Sequence, residues 1–151
     1  MDGSDVDNPW APKLITEGEW AGWRISVGDP FEVLAGPFYT RRDEVGRVTC
    51  AFRAEQKHMN GGGFMHGGCM LTFADYALFV IGRAALSDGY AVTVSLNGDF
   101  VGPASEGDLV EATGEITRAG GSLVFIRGLI ATGGSPMMTF SGVVKKVKKR
   151  G

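Results

Sequence analysis

The sequence predicts an α+β domain in which one long buried helix packs against an antiparallel sheet of about six strands. One segment, Cys69–Leu86, is apolar almost throughout and has the length of a helix. Six other segments are short and have the alternation or the composition of strands. The turns between the last strands are too short for a crossover, so those strands are expected to pair antiparallel.

The predicted order is two strands, the helix and four strands. The first two strands are expected at Pro30 to Thr40 and Gly46 to Glu55, joined by a polar turn. In ITEGEWAGWRISV, before them, we expect a short helix or turn whose Trp20 and Trp23 cover one edge of the core. The later strands are expected in AVTVSLNGDFV, DLVEATGEIT, LVFIRGLIAT and MMTFSGVVKKV, and the third of these is apolar enough to be central.

The composition indicates a single globular domain. The chain has 151 residues, of which 44% are hydrophobic and 21% charged, which is enough to bury one core. Its net charge of −2 offers no large basic field, so nucleic acid is not expected as a partner. We expect a flexible acidic tail at residues 1–12, one domain at 13–147 and a basic tail at 148–151.

The sequence also predicts a cytoplasmic protein without a membrane segment. Its 2 cysteines do not make a disulfide framework and suit a reducing compartment. The acidic start lacks the apolar stretch of a signal peptide. The most apolar run, Cys69 to Ile81, is too short for a membrane span and contains Asp75.

Asp75 lies in the middle of the predicted helix, where no polar face exists. A helix that is apolar all round is buried on all sides, so a second copy of the chain is expected to cover what the sheet leaves open. No basic residue lies three or four positions from Asp75. A structural aspartate bonded to Thr72 or to a backbone amide is one interpretation. A catalytic carboxylate in dry surroundings is the favoured one.

A glycine-rich loop, NGGGFMHGG at Asn60 to Gly68, leads into this helix. The helix is expected to begin near Gly67 or Gly68, where backbone N–H groups lack partners and the helix dipole is positive. Such an end could hold an oxyanion or polarise a carbonyl. Glycine there lets a ligand approach the backbone closely.

The spacing along the helix predicts a site that is shared between two chains. Gly67 and Asp75 are eight residues apart, about 12 Å along one helix. An oxyanion donor and a base or nucleophile must meet at one reacting carbon, which one chain cannot easily arrange. Two antiparallel helices related by a two-fold axis could do so. The stripe expected to face the neighbour consists of Gly68, Thr72, Asp75 and Gly82.

A nucleotide-binding loop, a metal site and a cysteine nucleophile are less well supported by the sequence. A phosphate-binding loop would need Lys and Ser or Thr after Gly67, and a dinucleotide fingerprint would need glycine in place of His66. A metal site built from His58, His66, Cys69 and Asp75 has no recognised ligand spacing, so neither a metal nor a cofactor is expected. A thiol in an apolar helix, as at Cys69, is more often core packing than a nucleophile.

For two polar residues of the loop, the sequence leaves two alternative roles open. His66 either orients a substrate or closes the loop. Asn60 either donates a hydrogen bond to a carbonyl or holds the loop by bonding its backbone.

The pattern HxNxxGxxHGGxxxxxxD resembles that of the hotdog-fold acyl-CoA thioesterases of the phenylacetate-pathway (PaaI-type) family. GPFYTR upstream, TFAD in the helix and VTVSLNGDFVGPA downstream are also similar to that family, over about residues 31–144. The resemblance implies a long helix wrapped by a curved antiparallel sheet. It also implies dimers that often pair into tetramers, and hydrolysis of acyl-CoA thioesters to free acid and CoA.

The resemblance further implies a role for each matching residue. The backbone N–H of Gly67 would polarise the thioester carbonyl, and Asn60 would either assist in this or orient the attacking group. Asp75 would act as nucleophile or as general base on water, and the Thr93 hydroxyl would help to place that water. His66 would line the same pocket.

Three further positions, Gly68, His58 and Gly63, are expected to contact the substrate. Two other functions remain open: a hotdog hydratase or dehydratase that pairs His66 with Asp75 across the interface, and a non-catalytic acyl-CoA-binding domain. The chain departs from the family pattern in its three consecutive glycines and in its tryptophan-bearing N-terminal extension. Its basic tail is a candidate contact for CoA phosphates.

Overall fold

The chain folds into one antiparallel sheet that packs against one long helix. A computed structural model describes residues 11–86 and 90–148. The helices are α1 (Pro30–Ala35) and α2 (Gly67–Leu86), and Gln56–His58 forms a 3₁₀ turn. The strands are β1 (Lys13–Leu14), β2 (Arg24–Ile25), β3 (Tyr39–Arg42), β4 (Val48–Arg53), β5 (Tyr90–Phe100), β6 (Leu109–Gly120), β7 (Leu123–Thr132) and β8 (Ser135–Val147).

The sheet has the strand order β1-β2-β3-β4-β6-β7-β8-β5, with every pair antiparallel. The predicted hotdog architecture is therefore confirmed, and so is the central place of β7, between β6 and β8. Two more strands occur than the six expected. Both are two-residue pieces of the N-terminal segment, too short to show a two-residue period in the sequence. Residues 1–10 and 149–151 of the expected tails lie outside the described residues.

The prediction of a strand over Pro30 to Thr40 is wrong for its first half, which is helix α1. Asp29 caps this helix, because its Oδ1 accepts a hydrogen bond from the Glu32 N–H at 3.0 Å. Pro30 follows at the first helical position, where its missing N–H has no cost. Gly36 ends the helix by donating its N–H to the Glu32 carbonyl at 2.7 Å. These local signals outweigh the apolar pattern of the segment.

Helix α2 forms the centre of the hydrophobic core. It packs against β4, β5, β6, β7 and β8 on one side and against α1 on the other. Its Phe73 and Leu78 are fully buried together with Phe52 and Ile130 from the sheet. By length and composition α2 could cross a membrane, but half of that window is buried inside the fold, as in the core helix of a globular domain.

Glycines in the sheet let α2 approach closely. A Cβ atom added to Gly142 of β8 would lie only 2.9 Å from Leu78 Cδ2 and from the Ser95 carbonyl oxygen. The second of these contacts is to backbone, which cannot move as a side chain can. We therefore expect Gly142→Ala to lower the free energy of unfolding by about 1–3 kcal/mol.

Chemical denaturation of the two proteins measures this difference. Gly120→Ala is the matched control, because Gly120 is a strand glycine with no atom near its added Cβ. A Gly142→Ala protein as stable as the Gly120→Ala protein would show that the helix does not press on the sheet at this point.

Candidate active site

The first turn of α2 leaves one backbone amide unused. His66 precedes the helix, and its Nδ1 accepts a hydrogen bond from the Gly68 N–H at 2.8 Å. The His66 carbonyl accepts from the N–H groups of Cys69 at 3.0 Å and Met70 at 3.2 Å. Within the described residues, the Gly67 N–H therefore remains without a partner. The helix begins at Gly67, as predicted.

The His66 side chain therefore caps the start of the helix, whereas the roles expected from the sequence were orientation of a substrate or closure of the loop. Because Nδ1 accepts, the neutral ring carries its proton on Nε2. Gly68 makes this geometry possible, since a Cβ there would lie 3.0 Å from His66 Nδ1. The His66 side chain is exposed, so its Nε2–H is accessible from solvent.

Asn60 holds the glycine loop in one conformation. Its Oδ1 accepts hydrogen bonds from the N–H groups of Gly62 at 2.9 Å and Phe64 at 3.1 Å. Gly63 completes the turn with φ at +84°, a conformation that favours glycine. The Asn60 Nδ2 group is exposed and makes no hydrogen bond in the part of the chain that the structure describes. Loop support and donation to a ligand are thus compatible roles for this one side chain.

His58 lies inside the protein, with 3% of its surface exposed. Its Nδ1 accepts from the Glu55 N–H at 3.0 Å, so the neutral ring donates from Nε2 to the Ala35 carbonyl at 2.6 Å. Its own carbonyl accepts from the His66 N–H at 2.9 Å. With both ring nitrogens bonded to backbone, His58 supports the loop, and this geometry leaves no nitrogen for the substrate contact that the sequence suggested.

Asp75 and Thr93 form the polar centre of the candidate site. The Thr93 hydroxyl donates to Asp75 Oδ1 at 2.5 Å. The pairing of β5 with β8 shifts register between Thr93 and Ser95, a bulge of the kind often found beside active sites. Thr72, the structural partner considered above for Asp75, instead donates its hydroxyl to the Gly68 carbonyl at 2.9 Å. The carboxylate therefore keeps a free oxygen on the open side of the helix.

An open cleft lies in front of Asp75. It has a volume of about 340 Å³ and is lined by Asp29, Phe31, Glu32, Leu71, Thr72 and Asp75. Asp75 is half-buried in the single chain, so its dry surroundings remain an expectation that depends on a second copy covering this face. Helix α1 forms one wall of this cleft, a position that the predicted strand over Pro30 to Thr40 does not provide. Its Asp-Pro pair, typical of a helix start, was the available signal.

Glu32 is one of three carboxyl groups that line the cleft, with Asp29 and Asp75. Burial, followed by the negative charges of Asp29 and Asp75, raises the pKa of Glu32 from 4.5 to about 7, and Arg83 acts in the opposite direction. Near neutral pH the group is therefore close to half protonated. A protonated Glu32 can donate a hydrogen bond into the cleft, which an ionised one cannot.

Within one chain, the Gly67 amide and the Asp75 carboxylate lie far apart. Gly67 is the first residue of α2 and Asp75 lies eight residues later, about 12 Å along the axis. Phe100, at the end of β5, covers the Cα of Gly67, since an added Cβ would lie 3.4 Å from its ring. Gly82 does not share the open stripe of Asp75. It is buried, and a Cβ there would lie 2.9 Å from Ile126 Cδ1 on the sheet.

Neither metal nor thiol chemistry finds support in this arrangement. In residues 11–86 and 90–148 no three His, Cys, Asp or Glu side chains are grouped to hold a metal ion. Burial raises the pKa of the Cys69 thiol to about 11, with a small opposing effect of Lys57. Cys69 is thus a protonated thiol at neutral pH, and a protonated thiol is a poor nucleophile.

Comparison with known sequences gives the class of this protein. The profile of the family described as "Thioesterase superfamily" matches residues 62–136. The Pseudomonas aeruginosa protein PA0474, named as an esterase, is 33% identical over 115 residues, which cover 76% of this chain and 86% of that protein. Acyl-coenzyme A thioesterase 13 of Homo sapiens is 29% identical over 99 residues, which cover 63% of this chain and 68% of that protein.

Solved structures agree on the fold. The PaaI protein of the E. coli phenylacetic acid degradation operon superposes with a TM-score of 0.68 at 22% identity, over 80% of this chain and 86% of that one. The BH2602 protein of Bacillus halodurans, solved with CoA, gives a TM-score of 0.68 at 24% identity, over 74% of each chain.

The long helix inside an antiparallel sheet and the matches in sequence define a hotdog-fold thioester hydrolase. The chain belongs to the thioesterase superfamily, and the predicted resemblance to its PaaI-type members is confirmed.

The raised pKa of Glu32 predicts how stability changes with pH. The folded state holds this proton up to about pH 7, whereas the unfolded chain releases it near 4.5. Stability from this group is therefore fully present below about pH 4.5 and is lost as the pH rises through about 7. We expect Glu32→Gln to flatten the fall in the free energy of unfolding between about pH 5 and about pH 8.

Denaturation curves at the two pH values measure this slope. Glu17→Gln serves as the control, because Glu17 is an exposed carboxyl group outside the cleft. Equal pH slopes in the wild-type and Glu32→Gln proteins would contradict the raised pKa.

Proposed function

We propose that the protein hydrolyses acyl-CoA thioesters to the free acid and CoA, at sites shared between the two subunits of a homodimer. The observation that carries this proposal is the Asp75–Thr93 pair on an open cleft. The unpartnered amide of Gly67 supplies the second half of the chemistry. CoA as the carrier is supported by the kinship with acyl-coenzyme A thioesterase 13.

In the proposed reaction, Asp75 has two possible roles. As nucleophile it attacks the thioester carbonyl, the C–S bond breaks to release CoA thiolate, and water then hydrolyses the mixed anhydride to the free acid. As general base it removes a proton from a water that attacks the carbonyl, and the C–S bond breaks to release the free acid and CoA thiolate, which takes up the proton.

The Thr93 hydroxyl fixes Oδ1, which leaves Oδ2 to act, and its lone pairs can accept a hydrogen bond from that water. The Gly67 N–H stabilises the oxyanion as it develops, and the free Nδ2 of Asn60 is a second donor. His66 Nε2–H borders this region, and Gly68 and Gly63 shape the approach for the substrate.

The edge strand β5 supports the proposed dimer. Within residues 11–86 and 90–148, β5 is the last strand in the sheet order and β8 is its one strand partner. Val92 and Val94 of β5 are exposed, so the edge is long, apolar and open, a feature that favours pairing with another chain. A second copy paired along β5 in antiparallel fashion would place two α2 helices side by side. Gly67 of one protomer would then approach Asp75 of its partner.

Further association of two such dimers into a tetramer belongs to the same proposal, as does a cytoplasmic location. The proposal includes no cofactor, no nucleic acid and no membrane. An acyl chain entering the cleft would meet the apolar side chains of Phe31 and Leu71 beside the carboxyl group of Glu32.

The role of Asp75 predicts a large loss of activity on substitution. Asp75→Asn keeps the shape but removes the nucleophile or base, so kcat should fall at least about 10²-fold. The rate of thiol release from phenylacetyl-, benzoyl- and short- to long-chain acyl-CoAs measures kcat. Glu44→Gln, which removes one charge from an exposed turn, is the control and should keep wild-type rates.

Turnover by Asp75→Asn at the wild-type rate would remove Asp75 from the mechanism. Binding of acyl-CoA without thiol release in the wild-type protein would favour a non-catalytic domain. Hydration of an enoyl-CoA without thiol release would favour a hydratase.

The shared site predicts rescue between two inactive variants. Gly67→Pro removes the amide donor at the first helical position, where proline is tolerated. A mixed dimer of Gly67→Pro and Asp75→Asn chains has one site in which both groups are intact. Co-refolding equal amounts should therefore recover about a quarter of wild-type activity, since half of the dimers are mixed and each has one working site of two.

Each variant refolded alone is the control for this experiment. No gain over the average of the two variants would show that Gly67 and Asp75 act in the same chain or not at all.

A further inference from the structure

A second cavity, here called the arginine pocket, lies away from the Asp75 cleft. It has a volume of about 460 Å³. Four arginines line it, Arg24 from β2, Arg41 and Arg42 from β3 and Arg83 from α2, with Leu14 and Val80 among its apolar neighbours. The pocket shares no lining residue with the cleft at Asp75. The proposed thioesterase chemistry makes no use of it.

The charges in the arginine pocket are largely uncompensated. No carboxylate is among its lining residues. In the described chain, the guanidinium groups of Arg24 and Arg83 form neither an ion pair within 4.0 Å nor a hydrogen bond. Arg83 does lower the pKa of Glu32, so a carboxyl group lies within its field but outside the pocket. Cations gathered in one concave site repel each other, and a bound anion would offset that repulsion.

The other two arginines are held in place by neighbouring groups. Arg41 lies over the ring of Trp23, with 4.6 Å between its guanidinium carbon and the ring centroid. Arg42 donates to the Gly46 carbonyl at 3.0 Å. Each contact restricts the side chain and leaves guanidinium donors free, because the group carries five N–H bonds. These two side chains are therefore partly fixed before a ligand binds.

The N-terminal segment builds one wall of the pocket. Strands β1 and β2 form a hairpin, closed by hydrogen bonds from the Ile15 N–H to the Trp23 carbonyl at 2.8 Å and from the Gly22 N–H to the Ile15 carbonyl at 2.9 Å. Pairing with β3 places Arg24 opposite Thr40. Without this hairpin the pocket would lack Arg24 and Leu14.

We propose that the arginine pocket binds a phosphate-bearing organic ligand. Guanidinium groups match phosphate oxygens in paired hydrogen bonds, and several of them on separate elements suit a phosphate or diphosphate group. The volume is that of a small-molecule site, and Leu14 and Val80 offer contact to an apolar part of the ligand. Val80 and Arg83 follow Asp75 by five and eight residues on α2, so a ligand there contacts the helix that carries the catalytic carboxylate.

Two sources of this phosphate fit the same chemistry: the nucleotide portion of the CoA substrate or a separate phosphorylated metabolite. The first test asks only whether the site exists. Inorganic pyrophosphate is titrated into the full-length protein and followed by calorimetry and by tryptophan fluorescence, for which Trp23 beneath Arg41 is the local reporter. Saturable binding that weakens with added salt is expected.

The combined substitution Arg24→Met and Arg83→Met removes two charges and keeps the apolar stems. It should weaken pyrophosphate binding at least about tenfold. Arg118→Met is the matched control, since Arg118 is an exposed arginine of β6 outside the pocket, and it should leave binding unchanged. No saturable binding to the wild-type protein, or equal weakening in the control, would overturn the proposal.

A second pair of measurements separates the two sources. A raised KM for acyl-CoA with unchanged kcat in the Arg24→Met, Arg83→Met protein, together with competition between CoA and pyrophosphate, assigns the site to the substrate. An unchanged KM with lost pyrophosphate binding assigns it to a separate ligand. Asp75→Asn should bind pyrophosphate like the wild type, so a failure of the proposed hydrolysis and a failure of the pocket are distinguishable.

Discussion

The rigid helix α2 sets the constraint on which the candidate chemistry depends. A helix advances about 1.5 Å per residue, so the free amide of Gly67 and the carboxylate of Asp75 stand about 12 Å apart on one rod. Fully buried side chains such as Phe73 and Leu78 fix α2 in the core. The helix therefore cannot bend to bring Gly67 close to Asp75. A carbonyl carbon needs both groups within about 3 Å. Within one chain, the Gly67 amide and the Asp75 carboxylate cannot reach the same carbonyl carbon. One of the two groups would therefore have to come from a second chain.

The loop before α2 uses its polar groups to hold its own backbone. His58, Asn60 and His66 each bond backbone N–H or carbonyl groups, and together they satisfy the turn and the helix start. His66 accepts hydrogen bonds from the N–H groups of Gly68, Cys69 and Met70. In the described chain, the Gly67 N–H is therefore the one free backbone donor at the start of the helix. Five glycines in nine residues are thus compatible with a well-defined loop, since side-chain bonds replace the missing Cβ packing.

The N-terminal third of the chain supplies walls of two cavities, the cleft at Asp75 and the arginine pocket. Helix α2 and the long strands alone would leave both cavities without these walls. Helix α1 places Glu32 and Phe31 beside Asp75, and the β1–β2 hairpin places Arg24 opposite Thr40 of β3. Both elements are short, so their apolar residues show no clear period, and the strand predicted over Pro30 to Thr40 was wrong for its first half. The raised pKa of Glu32 is equally a tertiary effect, because it arises from burial and from charges on other parts of the chain.

The sequence by itself determined the elements that are long and periodic: helix α2 with its start at Gly67, the strands β4 to β8, and the antiparallel pairing across short turns. It also identified Asp75, since a carboxylate within an apolar helix stands out in any reading. Only the tertiary structure decided that Thr93 donates to Asp75, that His58 is enclosed by backbone partners, and that four arginines line one pocket. Hydrophobic periodicity records which side of an element faces the core, whereas contacts between side chains of distant elements depend on how those elements pack.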